Sequence, residues 1–294
     1  MQPESGPSRK RDRLEKRERN QLQKRAIAAS VECDFANATE LLTRLVREFP
    51  DNIRFVNRLE ESLSFDGRLM ERLRALDGDN PRTRLFVMGC ARSGTWLLQL
   101  LMGYFEDAYT LKREAHFGAF ARLDSVARIH VVKRLGTSYV YASEIPEQIA
   151  LLYIVRHPFD VLSSTHLGVD NYVTVERWMA ETKAVKSVME RERKRLHVVR
   201  YEDLVCRPDE VQREIAGKFG LASRVRFSNF PNGIEIPPIV EQGMGGLRKP
   251  DRESIGRREQ HAQFAAKHMI ELAPARDLLR FLGRSFNYED LADM

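Results

Sequence analysis

The segment from Leu85 to Leu98 constrains the fold of this chain most, because it joins an apolar run to a helix through a glycine-bounded loop. The run Leu85–Met88 predicts a buried parallel strand, and the apolar periodicity of Trp96–Phe105 predicts a helix. The loop Gly89–Gly94 lies between them. Glycines let the backbone approach an anion, and a helix start adds N–H groups and partial positive charge. The segment therefore predicts a phosphate-binding corner.

The position of the cation separates this loop from those of most ATP-binding proteins. The spacing from Gly89 to Gly94 is that of a Walker A loop, but Thr95 follows where ATP-using enzymes need lysine. The positive charge lies inside the loop instead, on Arg92. We therefore expect the loop to hold a phosphate other than the one that ATP transfers. A phosphotransferase using ATP remains the alternative.

Length and composition narrow the class of protein. The chain has 294 residues, 43% of them hydrophobic, enough for one α/β domain and a small accessory region. Its net charge of +6 suits anionic ligands, and we expect no nucleic-acid partner. The longest apolar stretch, Leu85–Phe105, is interrupted by Arg92, so we expect no membrane span. The cysteines are scattered, at Cys33, Cys90 and Cys206, so their spacing indicates no metal site. Together with the charged N-terminus, they favour a cytoplasmic location.

The pattern along the chain changes twice. Residues 1–27 are dense in charge and predict a flexible basic tail. Residues 28–82 carry helical apolar stripes with turns at Phe49–Asn52 and Asp77–Pro81, which predict a helical hairpin weakly resembling tetratricopeptide-type repeats. Residues 83–294 alternate short apolar runs with amphipathic helices. That alternation predicts a nucleotide-binding α/β domain with a parallel sheet flanked by helices.

The predicted elements of this domain place ligands at one edge of the sheet. The expected strands are Leu85–Met88, Ile129–Lys133, Ala150–Val155 and His197–Arg200. Helices are expected to begin near Thr95, Pro158, Thr174 and Pro208. In such sheets, ligands bind at the carboxyl ends of the strands.

A second anion-binding corner follows the apolar run Leu151–Val155. Arg156 comes directly after this run, while Pro158 and Asp160 suit the first turn of a helix. Ser164 lies two turns further on, where its hydroxyl could share an anion with Arg156. Alone, these residues suit a structural ion pair equally well. Two such corners on one sheet imply a ligand with separated phosphates, such as a nucleotide with a 3′- and a 5′-phosphate.

Four stretches, in this order, resemble the motifs of the PAPS-dependent sulfotransferases, whose donor is 3′-phosphoadenosine 5′-phosphosulfate (PAPS). They are Gly89–Trp96, Arg156–Ser164, Val199–Val205 and Ser254–Arg257. The resemblance covers residues 84–285 and implies a P-loop-like sulfotransferase fold. It also implies in-line transfer of a sulfuryl group to a hydroxyl or amine acceptor, without a metal and with PAP as product.

The resemblance assigns the first corner to the 5′-phosphosulfate. Arg92, Ser93, Gly94 and Thr95 would hold it through backbone N–H groups, a hydroxyl and a cation. Trp96 stands where the family usually has a second threonine, so its indole is expected either to stack on the donor or to join the core.

The resemblance assigns the second corner to the 3′-phosphate. Arg156 and Ser164 would hold this phosphate, and Arg257 would reach it from a late loop. Tyr201 would lie near the adenine.

The catalytic residues are expected beside the first corner. Lys133 ends a predicted strand and, with Arg92, is the expected cation for the moving group. Cytosolic members often have a histidine two residues later, where this chain has Leu135. Other branches use a glutamate after the first helix, so Glu114 is the first candidate for the general base and His116 the second.

The acceptor is expected to be a small molecule, a glycan or a peptide. Segments 104–128 and 223–253 lack regular patterning and flank the donor site, so they are expected to line its pocket, with Gly243–Gly246 as a lid. Leu135 and Trp96 keep open a catalytically inactive nucleotide-binding protein, and a homodimer is a further expectation.

Overall fold

The computed structural model describes residues 7–134, 142–166, 168–191, 194–234, 236–238, 241, 255–256 and 258–292. The chain divides into two compact units. The helical unit comprises Met1–Pro81 and Ala115–Asp124, and the sheet unit comprises Arg82–Glu114 and Ser125–Met294. Within the described ranges, no helix combines the length and hydrophobicity needed to cross a bilayer.

Among its described residues, the helical unit contains four α-helices and a short 3₁₀ helix. The α-helices are α1 (Pro7–Val31), α2 (Phe35–Glu48), α3 (Ile53–Phe65) and α4 (Leu69–Asp77). α1 therefore runs through the boundary expected at residue 27. Asp34 and Asn52 cap α2 and α3, since their side chains accept hydrogen bonds from first-turn backbone N–H groups.

One apolar stripe from each of the first three helices forms the core of the helical unit. α2 packs against both α1 and α3. The buried residues include Leu42, Leu45, Phe55, Leu59 and Leu63, all within the stripes expected from the sequence. The 3₁₀ helix Phe117–Arg122 packs on α3.

In the part of the chain that the structure describes, the sheet unit has five strands. They are β1 (Thr83–Gly89), β2 (Ala108–Ala115), β3 (Ile129–Arg134), β4 (Ala150–Val155) and β5 (Leu196–Arg200), in the order β2-β3-β1-β4-β5. The pairs β1–β3, β1–β4 and β4–β5 are parallel. The prediction of an α/β fold with a parallel sheet is confirmed.

Helices of the sheet unit follow the strands and complete the layers. They are α5 (Thr95–Met102), α6 (Pro158–Leu162), α7 (Val175–Arg191), α8 (Tyr201–Cys206), α9 (Pro208–Phe219), α10 (Arg258–Lys267), α11 (Met269–Leu272), α12 (Arg276–Phe286) and α13 (Glu289–Ala292). The central strand β1 is buried on both faces, with Leu85, Phe86 and Val87 fully covered. This burial explains its continuous apolar run, because helices cover both faces of a parallel sheet.

The strand order creates a crevice at the carboxyl end of β1. From β1 the chain passes to β2 and then β3 on one side, and it returns to β4 on the other side of β1. Gly89 pairs with Ile154, and Val155 pairs with Arg200, so the carboxyl ends of β1, β4 and β5 meet at one edge. Ligands of open α/β sheets bind where the connections diverge in this way.

Segment 104–128 is more regular than the sequence indicates. It contains β2 and the 3₁₀ helix Phe117–Arg122, although no strand is predicted there. β2 lies at an edge of the sheet, and most of its residues are only partly buried. An edge strand with polar side chains lacks the apolar signal of a central strand, which explains the error.

Candidate functional site

The loop Gly89–Gly94 joins β1 to α5 and is called the phosphate loop below, because the sequence predicts that it binds phosphate. Its backbone depends on its glycines. Gly94 has φ +94°, and an added Cβ would lie 2.5 Å from Cδ2 of Tyr201. A Cβ on Gly89 would lie 2.6 Å from Cγ2 of Ile154. Ser93 closes the turn, since its hydroxyl donates to the Cys90 carbonyl at 2.6 Å. The loop therefore packs closely against β4 and the start of α8.

A buried network of charged side chains, formed by Arg134, Glu181 and Arg177, holds this loop in place. Nε of Arg134 donates to the Gly89 carbonyl at 2.7 Å, and its Nη2 lies 2.5 Å from the Glu181 carboxylate. Nε of Arg177 donates to the other Glu181 oxygen at 3.0 Å. Glu181 is only 1% exposed. The network thus fixes a loop carbonyl from β3 and α7, and sequence reasoning missed it because its members lie far apart in the chain.

Arg156 links the two expected phosphate corners directly. Its Nη1 donates to the Arg92 carbonyl at 3.0 Å, and its guanidinium lies 4.5 Å from the centre of the Tyr201 ring. Nε of Arg156 is 3.7 Å from the Asp160 carboxylate. Tyr201 therefore lies between Arg156 and Gly94, which is where the structure places the residue expected near adenine.

Ser164 and Thr95 occupy the second and the first corner, respectively. The Ser164 hydroxyl donates to the Val161 carbonyl at 2.8 Å, so it must rotate to donate to a phosphate. Thr95 is the first residue of α5 and is buried. Ser254, Arg257, Leu135 and the expected lid at 243–246 lie outside the described residues.

The expected catalytic pair comes together across two neighbouring strands. Nζ of Lys133, on β3, contacts Oε1 of Glu114, on β2. Nζ of Lys133 also lies 4.3 Å from the centre of the Trp96 ring, which packs against the core of the sheet unit. Burial lowers the pKa of Lys133 to about 8, although Glu114 opposes this shift. Glu114 keeps 36% of its side chain exposed, so an acceptor can reach it.

His166 contacts the loop cation, although the sequence did not single it out. Nη1 of Arg92 lies 3.2 Å from Nδ1 of His166. Burial and then the charge of Arg156 lower the pKa of Arg92, while burial and then Arg92 lower the pKa of His166. Glu114 acts on His166 in the opposite direction. His166 follows the Arg156–Ser164 motif by two residues, and this closeness is the only sequence signal that could have identified it.

His116 belongs to the helical unit, whereas Glu114 belongs to the sheet unit. The side chain of His116 is buried, and this burial lowers the pKa of His116, although the charges of Glu61 and Glu60 act in the opposite direction. The sequence placed both base candidates in one segment, but a boundary between units falls between them.

A second cluster of ionisable residues lies beside Arg156. The His157 and His261 rings stack with centres 3.8 Å apart and planes 6° apart. Asp290 lies 3.2 Å from Nε2 of His157 and 3.4 Å from Nδ1 of His261, while Nε2 of His261 lies 2.7 Å from Asp160. Together, His157, His261 and Asp290 are close enough to share a metal ion.

The geometry of this cluster favours hydrogen bonds over metal ligation. The nitrogen lone pairs lie in the ring planes, and these planes are stacked and nearly parallel, so the lone pairs of both rings cannot meet at one ion unless a ring rotates. Nδ1 of His157 also accepts the Phe159 backbone N–H at 3.3 Å, which places the proton of a neutral ring on Nε2, facing Asp290. The cluster therefore connects α10 and α13 to the start of α6 by hydrogen bonds.

The combined site presents cations and one accessible carboxylate at the carboxyl edge of the sheet. Arg92, Arg156 and Lys133 supply positive charge, and Glu114 is an acceptor for a proton. Such an arrangement can bind a polyanion and remove a proton from a second molecule beside it.

Comparison with known proteins shows similarity at the level of structure alone. No protein-family profile matches the chain, and no curated protein is significantly similar in sequence. A sulfotransferase domain from the curacin biosynthetic pathway is 14% identical, with a TM-score of 0.45 over 63% of this chain and 97% of that domain. A sulfotransferase domain from the Synechococcus PCC 7002 olefin synthase is 16% identical, with a TM-score of 0.40 over 66% and 97%. Mouse sulfotransferase SULT7A1 complexed with PAP is 13% identical, with a TM-score of 0.35 over 65% and 78%.

Proposed function

We propose that this protein is a sulfotransferase that moves a sulfuryl group from PAPS to a hydroxyl or amine acceptor. The observation that supports this proposal most is the contact between the two cationic corners, where Nη1 of Arg156 donates to the Arg92 carbonyl at 3.0 Å. Burial and then the charge of Arg156 lower the pKa of Arg92, and an anion close to both guanidinium groups would relieve the repulsion between them. A donor with both a 3′- and a 5′-phosphate suits two cations so placed.

The residues present fit such a donor. A Cβ at Gly89 would overlap Ile154 and one at Gly94 would overlap Tyr201, so this compact loop requires glycine at both positions. The backbone N–H groups of such a loop at a helix start are the groups that would bind the anion. Arg92 is the residue for the 5′-phosphosulfate, and Arg156 with Ser164 is the pair for the 3′-phosphate. The Tyr201 ring, held against Arg156, offers a flat apolar face for a base.

The reaction assigns a role to each member of the Lys133–Glu114 pair. PAPS supplies the sulfuryl group. Glu114 takes the proton of the acceptor hydroxyl while the acceptor oxygen forms its bond to sulfur. The bond between sulfur and the 5′-phosphate oxygen breaks, and Lys133 and Arg92 stabilise the negative charge that this oxygen gains. We prefer Glu114 to His116 as the base because Glu114 contacts Lys133 and is partly exposed, whereas His116 is buried in the helical unit.

Calorimetric binding without magnesium tests the donor site. We expect PAP to bind more tightly than 5′-AMP or ATP, and Arg156→Ala to weaken PAP binding about 10- to 100-fold through the loss of charged hydrogen bonds. Arg44→Ala is the matched control, because Arg44 lies exposed on α2 and pairs with Glu48 of the same helix. ATP binding that exceeds PAP binding and strengthens with magnesium would overturn the proposal in favour of a phosphotransferase.

Transfer of a labelled sulfuryl group from PAPS tests catalysis. A screen of small-molecule, glycan and peptide acceptors should yield labelled product that Glu114→Gln no longer forms. Tight PAP binding without transfer to any acceptor would instead support a nucleotide-binding protein without catalysis. The acceptor class, a homodimer and the tetratricopeptide-type likeness of the helical unit remain predictions.

A further inference from the structure

We propose that His166 is a positioning residue, which holds the Arg92 guanidinium in place by accepting its hydrogen bond on Nδ1. The hydrogen bond itself is a property of the chain alone. Its consequence for donor binding rests on the proposed function. The inference deepens that function by adding a residue that none of the four sequence motifs contains.

Hydrogen bonds fix both ends of the turn that contains His166. The backbone N–H and carbonyl of His166 exchange hydrogen bonds with Val169, each 2.9 Å long. The Thr165 hydroxyl donates to Asp170 at 2.7 Å, and the Tyr172 N–H donates to the Ser164 carbonyl at 3.2 Å. The Tyr172 ring packs edge-on against the imidazole, with centres 4.7 Å apart. The imidazole is thus oriented by its own turn before any ligand binds.

The chemistry of the contact determines which tautomer His166 adopts. A guanidinium can only donate hydrogen bonds, so Nδ1, at 3.2 Å from Nη1 of Arg92, must accept. A neutral imidazole that accepts on Nδ1 carries its proton on Nε2. His166 therefore cannot take an acceptor proton on Nδ1 while it holds Arg92, which excludes it as the general base in this arrangement.

Protonation would break the contact. An imidazolium donates from both nitrogens, so Nδ1 of a charged His166 would place an N–H against the N–H of Arg92. The charged groups that face His166 are Arg92 on the phosphate loop and Glu114 on β2, while Tyr172 and Asp170 belong to its own turn. Burial and then Arg92 oppose protonation of His166 while Glu114 favours it, and the net effect lowers the pKa of His166. Arg92 is thus held near neutral pH and released in acid.

The first arm of the test needs no ligand. Long-range ¹H–¹⁵N correlation spectra of the full chain with ¹⁵N-labelled histidine report the tautomer, and the spectrum of His166→Asn assigns the signal. We expect Nε2 to be protonated and the titration midpoint to lie below the ordinary value of about 6.5. Arg92→Met should raise this midpoint, because it removes a neighbouring positive charge. An Nδ1-protonated ring, or a midpoint that Arg92→Met leaves unchanged, would overturn the inference.

The second arm measures PAP affinity against pH. His166→Leu removes the acceptor and should weaken PAP binding near neutral pH about 3- to 10-fold, the range for one hydrogen bond. His166→Asn, whose amide oxygen replaces Nδ1, should restore most of this loss. As the pH falls from about 7.5 to 5.5, the PAP affinity of His166→Asn should also decrease less than that of the wild type, because an amide does not titrate. The phosphates of PAP titrate equally with both proteins, so the difference between them isolates His166.

A third variant controls for histidine replacement in general. His268 lies outside the site and pairs with Glu271, so His268→Asn should keep the wild-type pH profile. Equal affinities for His166→Leu and the wild type would overturn the positioning role. If PAP binds none of these proteins, the proposed function fails, and the spectra alone decide whether His166 holds Arg92.

Discussion

At the scale of single residues, Arg92 combines an unfavourable backbone conformation with a half-buried charge. Its φ of +69° lies in the left-handed region, which costs a non-glycine residue about 1–2 kcal/mol. The hydrogen bond from Arg156 to its carbonyl and the contact of its side chain with His166 offset this cost. Strained residues held by their surroundings occur most often at functional sites, in agreement with the role that we propose for Arg92.

The buried ammonium of Lys133 predicts the alkaline limit of the reaction. Because burial lowers the pKa of Lys133 to about 8, the fraction of charged lysine, and with it the transfer rate, should fall as the pH rises through about 8. Lys133→Arg should move this limit to higher pH, since a guanidinium does not deprotonate in this range. Transfer rates measured from neutral to alkaline pH for both proteins check this, and identical alkaline limits would contradict it.

Replacement of glycine by alanine should have opposite effects on stability at Gly94 and at Gly217. Gly94→Ala introduces a Cβ at 2.5 Å from the Tyr201 ring and at φ +94°, so it should destabilise the fold by about 1–3 kcal/mol and weaken PAP binding. Gly217→Ala, in the interior of α9 with open space around it, should stabilise by about 0.5–1 kcal/mol. Urea unfolding of both variants checks this, and a neutral Gly94→Ala would contradict the close packing of the loop.

At the scale of elements, the phosphate loop depends on β3 and α7 for its support. Arg134 extends from the end of β3 to the Gly89 carbonyl and to Glu181 on α7. Both charged side chains are almost fully buried. Replacing one member of such a pair costs much stability, because the remaining charge stays in an environment of low polarity.

Breaking this pair should cost more than removing it. Glu181→Leu leaves the Arg134 charge buried and should destabilise the fold by about 3–5 kcal/mol. The double variant Arg134→Met/Glu181→Leu should be less destabilised than the single one, because it removes both almost fully buried charges, while Arg177, which loses Glu181 in either variant, is partly exposed. Urea unfolding of the wild type, both single variants and the double variant checks this. Additive losses would show that the two side chains act independently.

The links of α10 to α6 and α13 depend on the protonation of His261. Hydrogen bonds and charge from Asp160 and Asp290 outweigh burial and raise the pKa of His261 above its ordinary value. A raised pKa in the folded state contributes stability that is complete below about pH 6.5 and is lost as the pH rises through the folded pKa. The wild type should therefore lose more stability than His261→Gln between about pH 6 and 8. Urea unfolding at several pH values checks this, and parallel pH profiles would contradict it.

At the scale of the whole molecule, a piece of the chain after β2 belongs to the helical unit. Phe117 packs edge-on against Phe65, and the Gly118 N–H donates to the Ser64 hydroxyl at 2.8 Å. Arg122 lies 3.1 Å from the buried carboxylate of Glu60. Residues 115–124 thus complete a unit whose other part comes from the start of the chain.

Deletion of residues 1–81 should therefore produce an insoluble or aggregating protein. The deletion removes the partners of Phe117 and Phe120, which are both about 1% exposed in the full chain, and leaves a large apolar patch. The same deletion with Phe117→Gln and Phe120→Gln should be more soluble. Sedimentation and binding of a hydrophobic dye check this, and a soluble, dye-negative deletion protein would show that the aromatic residues find other partners.

The sequence alone determines those features of this protein that depend on short stretches of chain. Leu85–Met88 and Leu151–Val155 are continuously apolar because both faces of their strands are covered, and Gly89 and Gly94 are where the loop permits no Cβ. These local requirements leave a pattern in consecutive residues, so the α/β fold and the two cationic corners can be predicted.

Only the tertiary structure decides which distant residues meet. β2 escaped prediction because an edge strand buries too little to carry an apolar pattern, and the contact of Glu114 with Lys133 depends on that strand. Arg134 meets Glu181, and Arg92 meets His166, across more than 40 residues of chain each. Such contacts depend on how strands and helices pack, and the pairing of one buried or half-buried charge with another leaves no periodic trace in the sequence.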